Sequence, residues 1–373
     1  MALMFMIEAI SVKNIRLHVP MPIILFISFF YILTISTVLH AEEYQHLFRV
    51  FQIIILAFII VNIISHTRNI TPIVMGTIIG TLILNYQVWL FLGKTFIIDS
   101  TEGSRMASDF INSNLYSMML CAGVLINIYC LLSIKYSKVK KEKLETVGLK
   151  FFFILMTFFY SYLIITLTGS KKGSLALLII FTLYGVYSWK NSSIFIRILY
   201  SFSLLIVLSN AANFIKDTIA FTRLEKMLIM FSNNSIKADE RTQMMHDAIA
   251  LWSEKPLLGW GINQFRSISG WDTYSHNNYV EILVNNGLIG LIVYYSVFLS
   301  IIIIIIKQYK NSVGNEKYKV FWCFIVIIVL LFWDIGLVSY YSKLNWLIIS
   351  MVMGILMISK GSKNKRETVM DTD

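Results

Sequence analysis

The chain has 373 residues, of which 57% are hydrophobic and only 14% charged, and its formal net charge is +11. A soluble domain carries roughly 25% charged residues, so a mean hydropathy of +0.70 excludes a water-soluble enzyme, a disordered chain and a disulfide-stapled secreted domain. The apolar content suffices for about ten membrane helices of ~20 residues each. Four prolines and long Ile, Leu and Phe runs argue against a porin-like barrel, whose strands alternate apolar and polar residues. The expected fold is all-α: a polytopic membrane helix bundle of about ten transmembrane helices with one large, partly helical extracytoplasmic loop.

In chain order the apolar runs of bilayer length fall at 20–39, 46–65, 70–92, 111–134, 148–168, 173–189, 194–215, 287–306, 320–340 and 343–359. The first lacks a small-residue cleavage site and reads as a span rather than a cleaved signal peptide. Three segments follow: 1–215 with seven helices, 216–286 as the large outer loop, and 287–373 with three helices and a basic tail. Lys and Arg near the span ends set the orientation. With both termini in the cytoplasm, 19 of the 32 basic residues lie inside, including Lys135, Lys138, Lys140, Lys141 and Lys143 in one loop. The positive charge is then topology and contact with anionic lipid, not nucleic-acid binding. Cys121, Cys130 and Cys323 sit in apolar runs without a CxxC pair, which reads as membrane packing.

Segment 216–286 is long among otherwise short connections, and such loops are usually functional or a folded cap. It holds seven basic and eight acidic residues, so any anion site in it must be local. Residues 239–254 show helical spacing of Met244, Met245, Ala248, Ile249 and Trp252, with Asp239 as N-cap, Arg241 in the first turn and Pro256 after the end. Pro256-Leu-Leu-Gly259-Trp-Gly261 follows, a turn whose glycines let the backbone approach something closely. In Ser275-His276-Asn277-Asn278-Tyr279, Ser275 can cap a helix running through Glu281, which would put His276 in its first turn.

The spacing from Arg241 through Trp252 and Pro256 to Gly261, then His276-Asn277-x-Tyr279-x-Glu281 and Asn286-Gly287-Leu-Ile-Gly290, resembles that of the O-antigen ligase and polymerase family. Two shorter segments are similar to it as well: Thr168-Gly-Ser-Lys171-Lys172-Gly, and Arg105 through Asn112-Ser-Asn114. Where the family has Arg, this chain has Lys171, which keeps the charge and loses the planar bidentate fork. The resemblance implies glycan transfer from a polyprenyl-diphosphate carrier to an acceptor hydroxyl on the outer face of a bacterial cytoplasmic membrane.

Such a reaction expels a diphosphate, which needs preorganised positive charge rather than a strong general acid. Arg241 is the first candidate, with Lys171, Lys172 and Arg105 as helpers. His276, whose ordinary pKa lies near neutrality, suits orientation or deprotonation of the acceptor hydroxyl. Gly259, Gly261 and Asn277 shape the loop. No outer Asp/Glu/His set has metal-site spacing apart from Glu42-Glu43, so a metal-independent reaction without cofactor is expected. The implied partners are the lipid-linked donor, the glycan acceptor, the bilayer, and flippase and chain-length regulator proteins, with no nucleic acid.

Each residue also has a plainer role. Arg241 could pair with Glu240 or Glu254, His276 could be satisfied by backbone, and Lys171, Lys172 and Arg105 could snorkel to headgroups. Asp334, an acid in an apolar run, is a functional hypothesis by default but could pair with Lys343. Trp260, Trp271, Tyr340, Tyr341 and Trp346 suit an aromatic belt, and some in the loop could stack on sugars. The main functional reading is a polymerase of lipid-linked repeat units for a cell-surface polysaccharide such as O-antigen or capsule. The alternatives are a ligase moving O-antigen onto lipid A–core, an enzyme using Glu42-Glu43 as an acidic pair, and a transporter of lipid-linked glycans. Lys- and Ile-rich composition and a compact chain favour the polymerase.

Overall fold

The computed structural model describes residues 17–40, 44–99, 107–108, 111–135, 144–165, 168, 170–189, 197 and 240–370. These form helices α1 Met21–His40, α2 Gln45–Thr67, α3 Thr71–Asp99, α4 Ser113–Lys135, α5 Leu144–Ile165, α6 Lys171–Ser188, α7 Glu240–Glu254, α8 Gln264–Ile268, α9 Asn278–Asn311, α10 Asn315–Trp333 and α11 Lys343–Met370. A two-residue antiparallel pair, β1 Ala107–Ser108 with β2 Ile111–Asn112, precedes α4. The protein is an all-α polytopic bundle. Among the described residues six helices are long and apolar enough to cross a membrane: α1, α2, α4, most of α3 and α5, and α9. The expected spans at 173–189 and 320–340 correspond to α6 and α10, and that at 343–359 to the apolar stretch Lys343–Ser359 of α11. The expected span at 194–215 and the pair Glu42-Glu43 lie outside the described residues. Exposed Ile292, Leu299, Ile303 and Ile306 form a stripe along α9, and Phe151, Phe158 and Tyr162 stand outward on α5. A soluble protein would bury such faces; acyl chains cover them here.

The chain divides into two compact units, one comprising residues 1–76, 135–138 and 244–373, the other 77–134 and 139–243. In the first unit α1 packs on α9 and α2 on α11. The core there is aromatic. Phe26 stacks on Trp346 with ring centroids 3.3 Å apart, and Phe29 meets Tyr294 at 5.0 Å. The stem of α1 is tied to α2 by paired bonds in which His18 N donates to Asn62 Oδ1 at 2.8 Å and Asn62 Nδ2 donates back to His18 O at 3.1 Å. Gly354 of α11 lets the backbone close on Ile64 of α2, where a Cβ would meet Ile64 side-chain carbons at 2.7–2.8 Å. Small residues permit such approach between membrane helices.

In the second unit α4 is the buried helix, with Leu120, Val124, Ile128 and Leu132 wholly or almost wholly buried. Gly123 makes room for the Tyr160 ring of α5, and the Tyr160 hydroxyl reaches Thr81 Oγ1 of α3 at 3.3 Å. Tyr116 donates to Asn85 Oδ1 at 2.5 Å. Satisfied hydroxyls and amides of this kind substitute for the hydrophobic drive that lipid removes.

Gly354→Leu forces an isobutyl group into the α2–α11 seam. The expected loss is about 1–3 kcal/mol, read as a lower thermal unfolding midpoint of the detergent-purified protein.

Candidate functional site

Three pieces of the first unit converge on the start of α9. Helix α7 presents Met244 and Ala248 inward, and these pack with Phe265, Val280 and Val284, flanked by Leu251, Trp252, Trp260 and Trp271. The indoles are engaged as scaffold: Trp252 Nε1 donates to Pro256 O at 3.0 Å, Trp260 Nε1 to Leu251 O at 2.8 Å, and Trp271 Nε1 to Asp247 Oδ2 at 2.8 Å. Lys255 Nζ lies 3.7 Å from the centroid of the Trp260 ring, a cation–π contact that holds the turn after α7.

The turn Pro256–Gly261 is threaded into a break in α9. Gly287 has φ 64° and ψ −170°, so the helical ladder is interrupted inside a continuous membrane helix. Trp260 N donates to Val284 O and Gly261 N to Asn285 O, both at 2.8 Å. Leu288 N donates to Pro256 O at 2.8 Å and Ile289 N to Leu257 O at 3.2 Å. The two carbonyls and two amides that an unbroken helix would pair with each other are thus paired with the turn. Unpaired backbone groups in a lipid-surrounded helix cost several kcal/mol each, so this exchange is what makes the break tolerable. Gly259, with φ 69°, has no room for a Cβ, which would lie 2.5 Å from Val284 O. A Cβ on Gly287 would collide with the Leu257 carbonyl. Gly261 is likewise left-handed, with φ 98°. Two further bonds fix the turn to α1 and α9: Ile262 N donates to Thr37 Oγ1 at 3.0 Å, and Ser36 Oγ to Asn285 O at 3.0 Å.

The start of α9 departs from expectation. The N-cap is Asn277, not Ser275. Asn277 Oδ1 accepts from Tyr279 N at 3.0 Å and Val280 N at 3.3 Å, satisfying amides that open a helix. His276 therefore precedes the cap instead of lying in the first turn. It holds a left-handed φ of 57°, uncommon for a residue with a Cβ and a form of backbone strain that concentrates at functional sites. Its ring is half-buried against Tyr274, with centroids 4.3 Å apart. Ser275 turns the other way. Its N–H donates to Glu281 Oε2 at 2.8 Å and its hydroxyl to Asn277 O at 3.0 Å.

The residues on either side of His276 belong to a buried polar network. The Glu281 side chain is fully buried, and its second oxygen accepts from Asn285 Nδ2 at 3.2 Å. Asn285 Oδ1 accepts from Phe265 N at 3.2 Å. Asn278, also fully buried, donates from Nδ2 to Asp334 Oδ2 and to the Tyr295 hydroxyl, both at 3.1 Å, while its Oδ1 accepts from Ser339 N at 2.8 Å and Tyr340 N at 3.1 Å. Asp334 further accepts from Tyr295 OH at 2.9 Å and from the Ser339 hydroxyl. The expected Lys343 partner of Asp334 is thereby replaced. Asp334 caps the end of α10 and clamps the 334–340 turn onto α9, and buried acids require such saturation.

In the second unit the two shorter motif segments meet. Ser170 caps α6 by accepting from Gly173 N at 3.1 Å, and its hydroxyl donates to Asn114 Oδ1 of α4 at 2.9 Å. Gly173 is shielded so closely by Ser117 that a Cβ would overlap its hydroxyl. Lys171 and Lys172 occupy the first turn of α6, both half-buried. Arg241 is half-buried in the first turn of α7. The described ion pairs, Lys319–Glu316 and His246–Asp247, include neither Arg241 nor Asp334. Arg105 and Asp239 lie outside the described residues. Arg241, Lys171 and Lys172 thus fall in one unit, and His276, Asn277, Gly259 and Gly261 in the other. Among the described residues no group of three or more His, Cys, Asp or Glu is arranged to hold a metal ion.

Sequence reasoning missed Asn278 and Asn285 as the polar anchors of this region and left Glu281 as a motif letter only. The available signal was several amides and one acid within a dozen residues of an apolar span, since polar groups in such a place must be paired.

A family model described as O-antigen ligase matches residues 152–295. That stretch begins inside α5, ends inside α9, and contains Lys171, Lys172, Arg241, Gly259, Gly261, His276 and Asn277; Arg105 lies before it. No curated protein matches the chain.

Gly287→Ala strains a left-handed backbone and drives a methyl group into Leu257. It is expected to cost about 1–3 kcal/mol, measured as a lower unfolding midpoint, and to expose the 256–261 turn to limited proteolysis.

Proposed function

We propose that this multi-pass membrane protein, which carries an O-antigen ligase-type domain over residues 152–295, polymerises oligosaccharide repeat units on their polyprenyl-diphosphate carrier. The observation that carries the reading is the coincidence of that domain with one folded block: the Pro256–Gly261 turn locked into the α9 break, and the strained His276 immediately before the α9 cap. The domain match favours glycan transfer over transport of lipid-linked glycans. The membrane is the cytoplasmic membrane, with both termini inside and the site outside.

The proposed chemistry uses few parts. An acceptor hydroxyl oxygen attacks the anomeric carbon of the donor sugar while the bond from that carbon to the phosphate oxygen breaks. The electron pair leaves with the diphosphate, and the hydroxyl proton passes to His276. Arg241 grips the leaving diphosphate through paired N–H donors, and Lys171, Lys172 and Arg105 add positive charge. No metal is assigned to this step. Asn277, Gly259 and Gly261 bear on the reaction indirectly, by fixing the backbone that carries His276.

The description of the matching family model is itself a specific reason to keep a second reading, a ligase that delivers finished O-antigen to a lipid A–core acceptor. Donor chemistry is shared, and the acceptor alone separates the two. Flippase and chain-length regulator proteins would act before and beside either enzyme.

The test is reconstitution of the full chain in vesicles with a lipid-linked repeat unit. The expected result is a ladder of longer glycans without nucleotide triphosphate or added metal. Glycan that crosses the bilayer with no new glycosidic bond would overturn the reading, and transfer only to lipid A–core would replace it with the ligase. His276→Ala and Arg241→Ala should each lower the rate by at least about 100-fold with unchanged protein level. Lys171→Arg keeps a cation and should retain activity within about threefold of the parent chain; an inactive Lys171→Arg variant would contradict a phosphate-contacting role.

A further inference from the structure

The unit that carries His276 holds cationic side chains of its own that the reaction scheme above does not use. Arg49, in the second turn of α2, is exposed, and its guanidinium carbon lies 5.9 Å from the centroid of the Tyr341 ring. The His46 ring flanks the same tyrosine at 5.8 Å, and Tyr340 meets it edge-on at 4.7 Å. The position of Tyr341 is fixed, because the Tyr340 N–H is bonded to Asn278 Oδ1 and the Tyr340 hydroxyl accepts from Asn285 Nδ2 at 3.2 Å. Asn278 is two residues from His276 in the chain, so the arginine platform and the histidine are built on one anchor.

Charge around the platform points the same way. Burial pushes the Tyr341 phenol up, with Glu281 and Tyr274 adding to the rise and Arg49 and Arg266 opposing it. That places Tyr274, whose ring lies against His276, and the exposed Arg266 within electrostatic reach of Tyr341. The acid in the group, Glu281, is fully buried with its two oxygens engaged by Ser275 N and Asn285 Nδ2. Among the described residues no carboxylate pairs with Arg49 or Arg266. A guanidinium laid over an aromatic face keeps its edge N–H donors directed outward in one plane, the geometry that receives two oxygens of a phosphate group at once.

We propose that Arg49, seated over Tyr341, is an anion-binding residue that contacts the diphosphate of the lipid-linked glycan on the His276 side of the site. The identity of the ligand rests on the glycan-transfer reading; the anion site itself does not. Arg49 contributes binding rather than proton transfer, so its loss weakens donor affinity more than turnover. Tyr341 acts through it, by holding the guanidinium plane.

The test has two arms on the full chain in detergent and in vesicles. In the first, inorganic pyrophosphate is titrated into the protein by calorimetry. Arg49→Ala is expected to weaken its binding about tenfold, and Arg49→Lys to restore only part of it, with the unfolding midpoint unchanged in both. In the second, Arg49→Ala is expected to raise the KM for the lipid-linked repeat unit about tenfold while kcat changes by less than about threefold. The KM effect should be the same in neutral phosphatidylcholine vesicles as in vesicles containing phosphatidylglycerol; an effect confined to the anionic vesicles would assign Arg49 to headgroups and overturn the proposal. Pyrophosphate binding and donor KM both unaltered in Arg49→Ala would overturn it as well. Pyrophosphate binding that depends on Arg49 in a protein that lengthens no glycan would leave the anion site standing and sink the polymerase reading instead.

Discussion

One backbone exchange holds the candidate site together. At Gly287 the longest described helix gives up its own ladder, and the Pro256–Gly261 turn supplies the missing donors and acceptors one for one. In an apolar medium an unpaired amide or carbonyl is costly, so the break in the helix depends on the turn being in place. The arrangement fixes where α7 ends and how the segment after it returns to α9. It also explains why glycine stands on both sides of the exchange. Gly259 approaches the Val284–Asn286 backbone, and Gly287 the Leu257–Leu258 backbone, more closely than any Cβ would permit.

From that joint a polar scaffold spreads through the end of the first unit. Asn285 lends its carbonyl to Gly261 and Ser36, and its side chain to Glu281, Phe265 and Tyr340. Asn278 fastens the 334–340 turn, with Asp334 as the acid at its centre. Every one of these groups is buried, and each side chain is spent on structure. Outside this network stand a strained, half-buried histidine against Tyr274 and an exposed arginine over Tyr341. A rigid, saturated base keeps the backbone that carries both residues in one geometry.

The sequence displayed the bundle well and the joint hardly at all. Bilayer-length apolar runs located the helices because length and composition alone decide whether a segment can span. Of the apolar set read from helical spacing on α7, Met244 and Ala248 are buried whereas Met245 and Ile249 are exposed, and Pro256 ended α7 as its ring geometry requires. The start of α9 was misread. Ser275 and Asn277 are both competent caps, but the left-handed backbone at His276 separates Ser275 from the helix and its hydroxyl donates to Asn277 O, which leaves the cap to Asn277. The expected span began at 287, whereas α9 begins at Asn278 and passes through Gly287, because the break is repaired by a segment some thirty residues earlier that no local pattern specifies. Arg49 belongs to no motif in the sequence. Its link to the site runs through Tyr341 and Asn278, residues hundreds of positions away in the chain.

The central claim is that Arg241 and His276 serve one donor molecule, the first holding its diphosphate and the second the incoming hydroxyl. The most direct measurement is cross-linking in native membranes of a chain carrying Arg241→Cys and His276→Cys, its three native cysteines replaced by serine. The account predicts efficient bridging by a short bifunctional thiol reagent. Cysteines that react singly with a monofunctional reagent but are never bridged, with or without donor, would contradict it.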